Sequence, residues 1–409
     1  MPNHHEWETH TRWAKEYGGL VYLEVFKQPM VFVNSLDIAT ELFEKRSGIY
    51  SDRFPFPMLN GLMGFDWNFG LMPYGERWRR HRKVFHQEFK PTSVVKYQSM
   101  QTPEHFMEHI RHFTGALIIE VTFGFNALPG DRYMALADKA MAVLAEAGVP
   151  GSFLVDIIPL LRYVPEWMIG AGFQKKAREA RQMNKGLVAL PFVAIKESLR
   201  KGKANPSITT TLLETLGNQP DVSENAEETI RNVAAVTYQT GGDTTAGALY
   251  AFILAMLLYP ETQRKAQTEL DSVIDGRLPE FSDRKNLPFI NALCQEVLRW
   301  NPVVPLGIAH RVSEDDAFGN YFIPRGSTVV GNAWAMLQDE RTYGPEIEKF
   351  KPEGFLDPTV HICPGRHFAD NTIFITIAST LKAFQITPAI DSTGKEISVK
   401  PLFTSGFLS

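Results

Sequence analysis

The stretch Thr240-Gly241-Gly242-Asp243-Thr244-Thr245 lies inside a run from Glu224 to Pro260 that otherwise reads as one long helix. A glycine in a helix interior costs about 1 kcal/mol relative to alanine, so two in succession need a compensating reason. Two readings supply one. In the first, the glycines let another helix cross closely and the threonine hydroxyl is capped on its own helix. In the second, the Thr244 hydroxyl bonds back to the carbonyl of Thr240, the helix opens locally, and Asp243 and Thr244 border a groove for a small ligand or water. The apolar run that follows, Ala246 to Tyr259, spans 14 residues. A membrane span needs roughly 18 to 20, so this run is predicted to be a buried helix.

The whole chain has 409 residues, of which 44% are hydrophobic, 22% charged and 11% aromatic. That is folded-protein composition and excludes a disordered, collagenous or disulfide-framework chain. A net charge of -4 leaves no basic footprint for nucleic acid. Two cysteines, Cys294 and Cys363, cannot build a disulfide scaffold, and a reducing compartment is expected. Met1 to Gly18 is polar and lacks the basic start and apolar stretch of a signal peptide. No repeat, low-complexity tract or composition shift divides the chain, so one domain over residues 1–409 is expected.

Leu20 to Phe26 and Met30 to Val33 predict a strand hairpin. Tyr50 to Pro73 is irregular, with Phe54, Phe56, Phe65, Trp67 and Phe69 suggesting a wall, and a charged helix follows over Glu76 to Glu88. Helical periodicity runs from about His105 to Leu199 with breaks at Pro150-Gly151 and Pro165 to Gly172. Phe153 to Ile169 is strongly apolar, read as a buried helix pair with a membrane-dipping surface as the alternative. Asn205 to Val222 reads as an exposed linker. Two shorter helices end at Trp300, short strands occupy Ile308 to Val330, and a last helix covers about Arg366 to Phe384. The fold class is therefore mainly α with a small β region.

Outside the glycine stretch, three groups of residues carry chemistry. Trp78 and Arg82, at i and i+4, present an indole donor and a guanidinium in one direction, suited to an anion or to a solvated basic face. Glu296 and Arg299 pair at i and i+3, but the same spacing occurs at Glu76/Arg79, Glu108/Arg111, Glu197/Arg200, Glu228/Arg231 and Glu261/Arg264, so spacing alone promotes none of them. Cys363 precedes Pro364-Gly365 and a helix start, a field that favours the thiolate. Without a cluster at zinc spacing, a lone thiolate ligand fits haem iron best; Cys294, mid-helix, reads as a small hydrophobe.

Taken in order, these features resemble the cytochrome P450 family, most closely fungal microsomal members of the O-methylsterigmatocystin oxidoreductase type. Trp78 to Arg82 matches W-x-x-x-R, Thr240 to Thr245 matches [AG]-G-x-[DE]-T-[TS], Glu296 to Arg299 matches E-x-x-R, Pro352 to Phe355 matches P-E-R-F with glycine for arginine, and Cys363 to Gly365 matches C-x-G. The resemblance implies the cytochrome P450 fold and haem b with Cys363 as the proximal thiolate. It further implies Asp243 and Thr244 delivering protons to bound O2, and Trp78, Arg82 and Arg311 holding the propionates. Glu296 and Arg299 would be structural. Electrons would come from NADPH through a cytochrome P450 reductase, the substrate would be an apolar small molecule, and the location the endoplasmic reticulum membrane or, without an anchor, the cytoplasm.

The segment ahead of Cys363 departs from the family's F-x-x-G-x-R-x-C-x-G, holding Leu356, Thr359 and His361 where phenylalanine, glycine and arginine are usual. Its glycine bulge is missing, so weak or absent haem binding is expected, with His361 as the replacement propionate contact. Thr240 replaces a small residue, and the N-terminal anchor and the final strand pair are expected to be lacking. The reading is a haem-thiolate monooxygenase acting on an apolar secondary metabolite or xenobiotic. Its alternatives are a haem-deficient remnant or mis-spliced product, a haem-binding isomerase or peroxygenase on the same fold, and a helical interaction protein.

Overall fold

The computed structural model describes residues 5–88, 105–217, 225–355 and 366–401. Its longer helices are α1 (Glu6–Tyr17), α2 (Glu76–Glu88), α3 (Phe106–Phe123), α4 (Arg132–Ala147), α5 (Gly172–Arg200), α6 (Ile208–Gly217), α7 (Ala226–Leu258), α8 (Pro260–Val273), α9 (Pro288–Trp300) and α10 (Arg366–Ala383). The strands are β1 (Leu20–Val25), β2 (Gln28–Val33), β3 (Asp52–Arg53), β4 (His310–Arg311), β5 (Asp316–Phe318), β6 (Tyr321–Ile323) and β7 (Thr328–Gly331). Fold class, hairpin, charged helix, long helix and final helix all follow the sequence expectation.

The helix α7 organises the body. It is apolar on nearly every side, from Ile230 and Val233 to Phe252 and Met256, and such a helix can only be satisfied by neighbours all round. Helices α2, α3, α4, α6 and α10 supply them. By length and composition α7 could cross a membrane, but here it is the core helix. One apolar cluster joins its first half to α3, α4, α5 and the aromatic loop; a second joins its other half to α8, α9 and α10.

Five strands form a sheet in the order β1-β2-β7-β4-β3. The hairpin β1–β2 is antiparallel, β2 runs parallel to β7 with Met30 opposite Thr328, and β4 pairs antiparallel with both β7 and β3. The short β3–β4 ladder sets Arg53 opposite His310 and Asp52 opposite Arg311. Side chains alternate faces along a strand, so His310 and Arg53 share one face while Arg311 takes the other.

Two sequence expectations change. Residues 208–217 form α6 where an exposed linker was expected, and Thr209 is fully buried, donating to the Thr122 carbonyl at 2.6 Å. Ser207 and Thr210 cap its start reciprocally: the Ser207 hydroxyl accepts from the Thr210 N–H at 3.2 Å and the Thr210 hydroxyl from the Ser207 N–H at 2.7 Å. Nor is the apolar segment from Phe153 to Ile169 a buried helix pair. It forms one helical turn at Leu154–Ile157 and a 3-10 turn at Pro159–Tyr163, and it points Leu160, Tyr163, Trp167 and Ile169 outward, Trp167 at 83% exposure.

The aromatic loop is core as well as wall. Phe56 and Phe65 are fully buried, and Phe54 meets Phe56 edge-on at 4.7 Å between centroids. A π-helical turn at Pro57–Leu62 is held at both ends: Asp156 accepts from the Met58 N–H at 2.8 Å, while Arg181 and Asn184 donate to the carbonyls of Leu62 and Met63.

Candidate active site

The glycine pair has a packing reason. A side chain at Gly241 would sit 2.8 Å from the Ile118 side chain and force it to shift, whereas one at Gly242 would meet the Gly115 backbone at 3.4 Å, an ordinary contact, so the close approach of α7 to α3 bears on Gly241 above all. The helix stays continuous through the crossing. The Thr244 hydroxyl donates to the Thr240 carbonyl at 2.9 Å, and Thr240 and Thr245 make the same i-4 bond. The first reading holds, with a close crossing and capped hydroxyls; of the second, the Thr244 bond to the Thr240 carbonyl is present but the helix does not open, although residues 240–244 are half-exposed in the middle of an otherwise buried helix.

Asp243 leaves α7 toward α3 and α4. Arg111 lies 3.3 Å from its Oδ1. Burial holds the Asp243 carboxyl above the usual range, Arg111 draws it down, and the nearby Asp138 pushes it up again.

A second centre forms where α2 meets the β3–β4 ladder. Arg82 lies over the Trp78 ring at 5.8 Å, as the i, i+4 spacing predicts. Arg53, missed by sequence reasoning, faces them. Its Nη1 donates to the Ile308 carbonyl at 3.2 Å and reaches His310 Nε2 at 2.8 Å, while its Nε is buried without a hydrogen-bond partner among the described residues. His310 Nδ1 lies 2.6 Å from the Tyr50 carbonyl. A carbonyl only accepts, so the ring proton sits on Nδ1 and Nε2 accepts from Arg53. Burial, then Arg53, push His310 down to about 3, and burial, then Arg82, push Arg53 down to about 10. Two guanidiniums set close together, one with a buried donor unpaired among the described residues, make this recess attractive to an anion.

Arg311 does not join this group. It is exposed and its guanidinium lies beside Gly326, on the far face of β4. The signal for His310 was the two-residue alternation of the strand, one position from the arginine chosen. Cys363 and His361 lie outside the described residues, as does the shortened segment ahead of Cys363.

The E-x-x-R pair is sorted by burial. Glu296 and Arg299 are 1% and 4% exposed and pair through two bonds, 2.6 and 2.8 Å. Arg299 also donates to the carbonyls of Leu337 and Lys349, and Glu296 accepts from the Lys351 N–H, so the pair ties α9 to the two strands of chain beneath it. Of the five look-alikes, Glu76/Arg79, Glu108/Arg111, Glu197/Arg200 and Glu261/Arg264 are exposed, Glu261 pairing with Arg264 in the open and Glu197 taking Lys201, while Glu228/Arg231 is half-buried and Glu228 takes Arg77. Cys294 is buried, its thiol held up by burial, as a small hydrophobe should be.

A family profile for cytochrome P450 matches residues 2–406. The chain belongs to the cytochrome P450 family. Among curated relatives, cytochrome P450 monooxygenase COX2 of Coprinopsis cinerea is 41% identical, covering 98% of this chain and 82% of its own length. Cytochrome P450 monooxygenase 98 of Postia placenta is 38% identical over 97% and 82%, and tryptamine 4-monooxygenase of Psilocybe cyanescens 36% over 100% and 86%. Zebrafish cytochrome P450 solved with progesterone shares the fold at a TM-score of 0.74 and 21% identity, covering 95% and 94% of the two chains; the form with abiraterone gives 0.76 at 19%, covering 99% and 96%. This P450 is accordingly a haem-thiolate monooxygenase that works with a redox partner, an organic substrate and O2. The remnant and isomerase readings are not favoured.

Proposed function

We propose that this P450 oxidises an apolar or aromatic secondary metabolite at the cytoplasmic surface of the endoplasmic reticulum, with electrons passed from NADPH by a cytochrome P450 reductase. The cationic recess carries the reading, because the orphaned Arg53 Nε and the crowded guanidinium of Arg82 fit the carboxylates of haem b. In this proposal Cys363 is the iron ligand, Trp78, Arg82 and Arg53 hold the two propionates with His310 fixing Arg53, and Arg311 yields that role. Bound haem supplies the oxygen-activating chemistry. The chain supplies the proton path, with Asp243 taking a proton from the solvent side and the Thr244 hydroxyl, anchored on the Thr240 carbonyl, passing it inward. Tryptamine 4-monooxygenase, a relative named for an aromatic substrate, supports an aromatic one here, and the aromatic loop supports a bulky apolar one.

Haem titration of the purified protein tests the recess. A lost hydrogen bond to a charged group costs roughly 1.5–3 kcal/mol, so Arg53→Ala and Arg82→Ala should each weaken haem retention roughly tenfold or more. Arg311→Ala should leave it unchanged; equal weakening by all three contradicts the assignment. The exposed Leu160, Tyr163, Trp167 and Ile169 support a membrane-touching surface. Folded protein that stays wholly soluble in a liposome flotation would count against that part.

A further inference from the structure

Arg111 of α3 stands between two carboxylates. Its Nη2 lies 3.3 Å from Asp243 Oδ1 on α7 and 3.2 Å from Asp138 Oδ1 on α4, and its Nε donates to the same Asp138 oxygen at 3.3 Å. The three charged groups line a small cleft where α3, α4 and α7 meet, with Met134, Tyr238 and Gln239 beside them. The cleft holds about 20 Å³, room for a water molecule. Its polar wall is incomplete: Gln239 accepts from Asn68 at 3.2 Å, but its Nε2 is buried without a hydrogen-bond partner among the described residues. Exposure differs among the three, 19% for Asp243 against 43% for Asp138 and 49% for Arg111. Asp243 is thus the carboxylate least helped by solvent and most dependent on the guanidinium.

We propose that Arg111 is a positioning residue for the reaction: paired at once with Asp243 on α7 and Asp138 on α4, it ties the proton affinity of Asp243 to the placement of α4. When α4 lies close, Asp138 shares the guanidinium and repels Asp243, which then takes up a proton from the cleft more readily. When α4 draws away, Arg111 pairs with Asp243 alone and holds it ionised. The charged and titratable groups facing Asp243 are Arg111 from α3, Asp138 from α4 and, two turns along α7, Tyr250, whose hydroxyl donates to the Met107 carbonyl at 2.9 Å. The helix α4 is well placed for this coupling, since its Tyr133 carbonyl accepts the Tyr238 hydroxyl and its Met134 packs on Gly115 at the helix crossing.

The inference rests on Asp243 being the proton-delivering carboxyl, and the test separates the two ideas. NADPH oxidation by the haem-loaded protein with its reductase is followed against pH for Asp243→Asn, Arg111→Gln, Arg111→Lys and Asp138→Asn, together with the pH dependence of Tm for the same proteins. Asp243→Asn should remove the alkaline limb of the activity profile. Arg111→Gln should move that limb up by roughly one pH unit, Asp138→Asn should move it down, and Arg111→Lys should restore it. The Tm curves should follow. Burial of ionised Asp243 costs stability as pH rises from the unfolded carboxyl value of ~4 to its raised folded value, so the loss should run on to higher pH and be larger in Arg111→Gln, and should end at lower pH and be smaller in Asp138→Asn. If Asp243→Asn keeps the limb, the role of Asp243 fails and this inference with it. If Asp243→Asn removes the limb while Arg111→Gln and Asp138→Asn leave it in place, or shift it the same way, Asp243 stands and the Arg111 coupling is overturned.

Discussion

Replacing Arg299 with alanine takes two donors from the Glu296 carboxylate, which is 1% exposed and, among the described residues, keeps the Lys351 N–H at 2.6 Å. The carbonyls of Leu337 and Lys349 lose their 3.1 Å donors as well. Breaking one side of a buried ion pair costs about 3–5 kcal/mol, because the surviving charge is left uncompensated in a medium that solvates it poorly. An unfolding entropy near 2.1 cal/mol/K per residue gives roughly 0.9 kcal/mol/K for 409 residues, so Tm should fall by about 3–6 °C. The control is Arg264→Ala, which breaks a pair of identical spacing with Glu261 in the open, Arg264 being 63% exposed. An exposed pair is worth at most about 1 kcal/mol, so its Tm should move by about 1 °C or less. Replacing Glu296 and Arg299 together with apolar residues of similar volume should recover much of the loss, since no orphaned charge remains. Thermal scans of the four proteins decide the matter. Equal shifts for Arg299→Ala and Arg264→Ala would refute the claim that burial distinguishes the motif from its copies.

Thr244→Ala should leave the haem spectrum intact and cut the coupling of electron use to product roughly tenfold; unchanged coupling would reduce the hydroxyl to a helix cap. Asp156 is buried, and burial raises its carboxyl to about 6, against backbone hydrogen bonds that lower it. Its ionisation opposes the fold, so stability is lost as pH rises from about 4 through 6. Asp156→Asn should therefore gain up to about 3 kcal/mol at pH 8 and nothing near pH 4, and a gain that ignores pH would show the carboxylate to be compensated. Inserting a family-like F-x-x-G-x-R segment ahead of Cys363 should raise haem retention over that of the unmodified chain; equal retention would make the short segment a functional variant.

The long helix α7 was legible because its apolar residues continue on all sides, and the glycine pair because glycine is costly there without a close neighbour. What sequence spacing could not rank was burial: six Glu-x-x-Arg pairs look alike, and only the packing of α9 against residues 337 and 349–351 singles out Glu296 and Arg299. Strand parity hid the recess in the same way. His310 and Arg311 are adjacent, and the register of β3 on β4 decides which of them meets Arg53. The helix α6 was missed because its threonines are weak helix formers, although Ser207 and Thr210 at capping-box spacing marked its start. Arg111 joins residues 27 and 132 positions apart, Asp138 and Asp243, a meeting that only the crossing of three helices creates.

The most direct test of a haem-thiolate centre on Cys363 is the reduced carbonyl spectrum of the haem-saturated protein beside that of Cys363→Ser. The account predicts a red-shifted, thiolate-type Soret band in the parent that disappears in the variant. The same band in both proteins, or its absence from the haem-saturated parent, would contradict it.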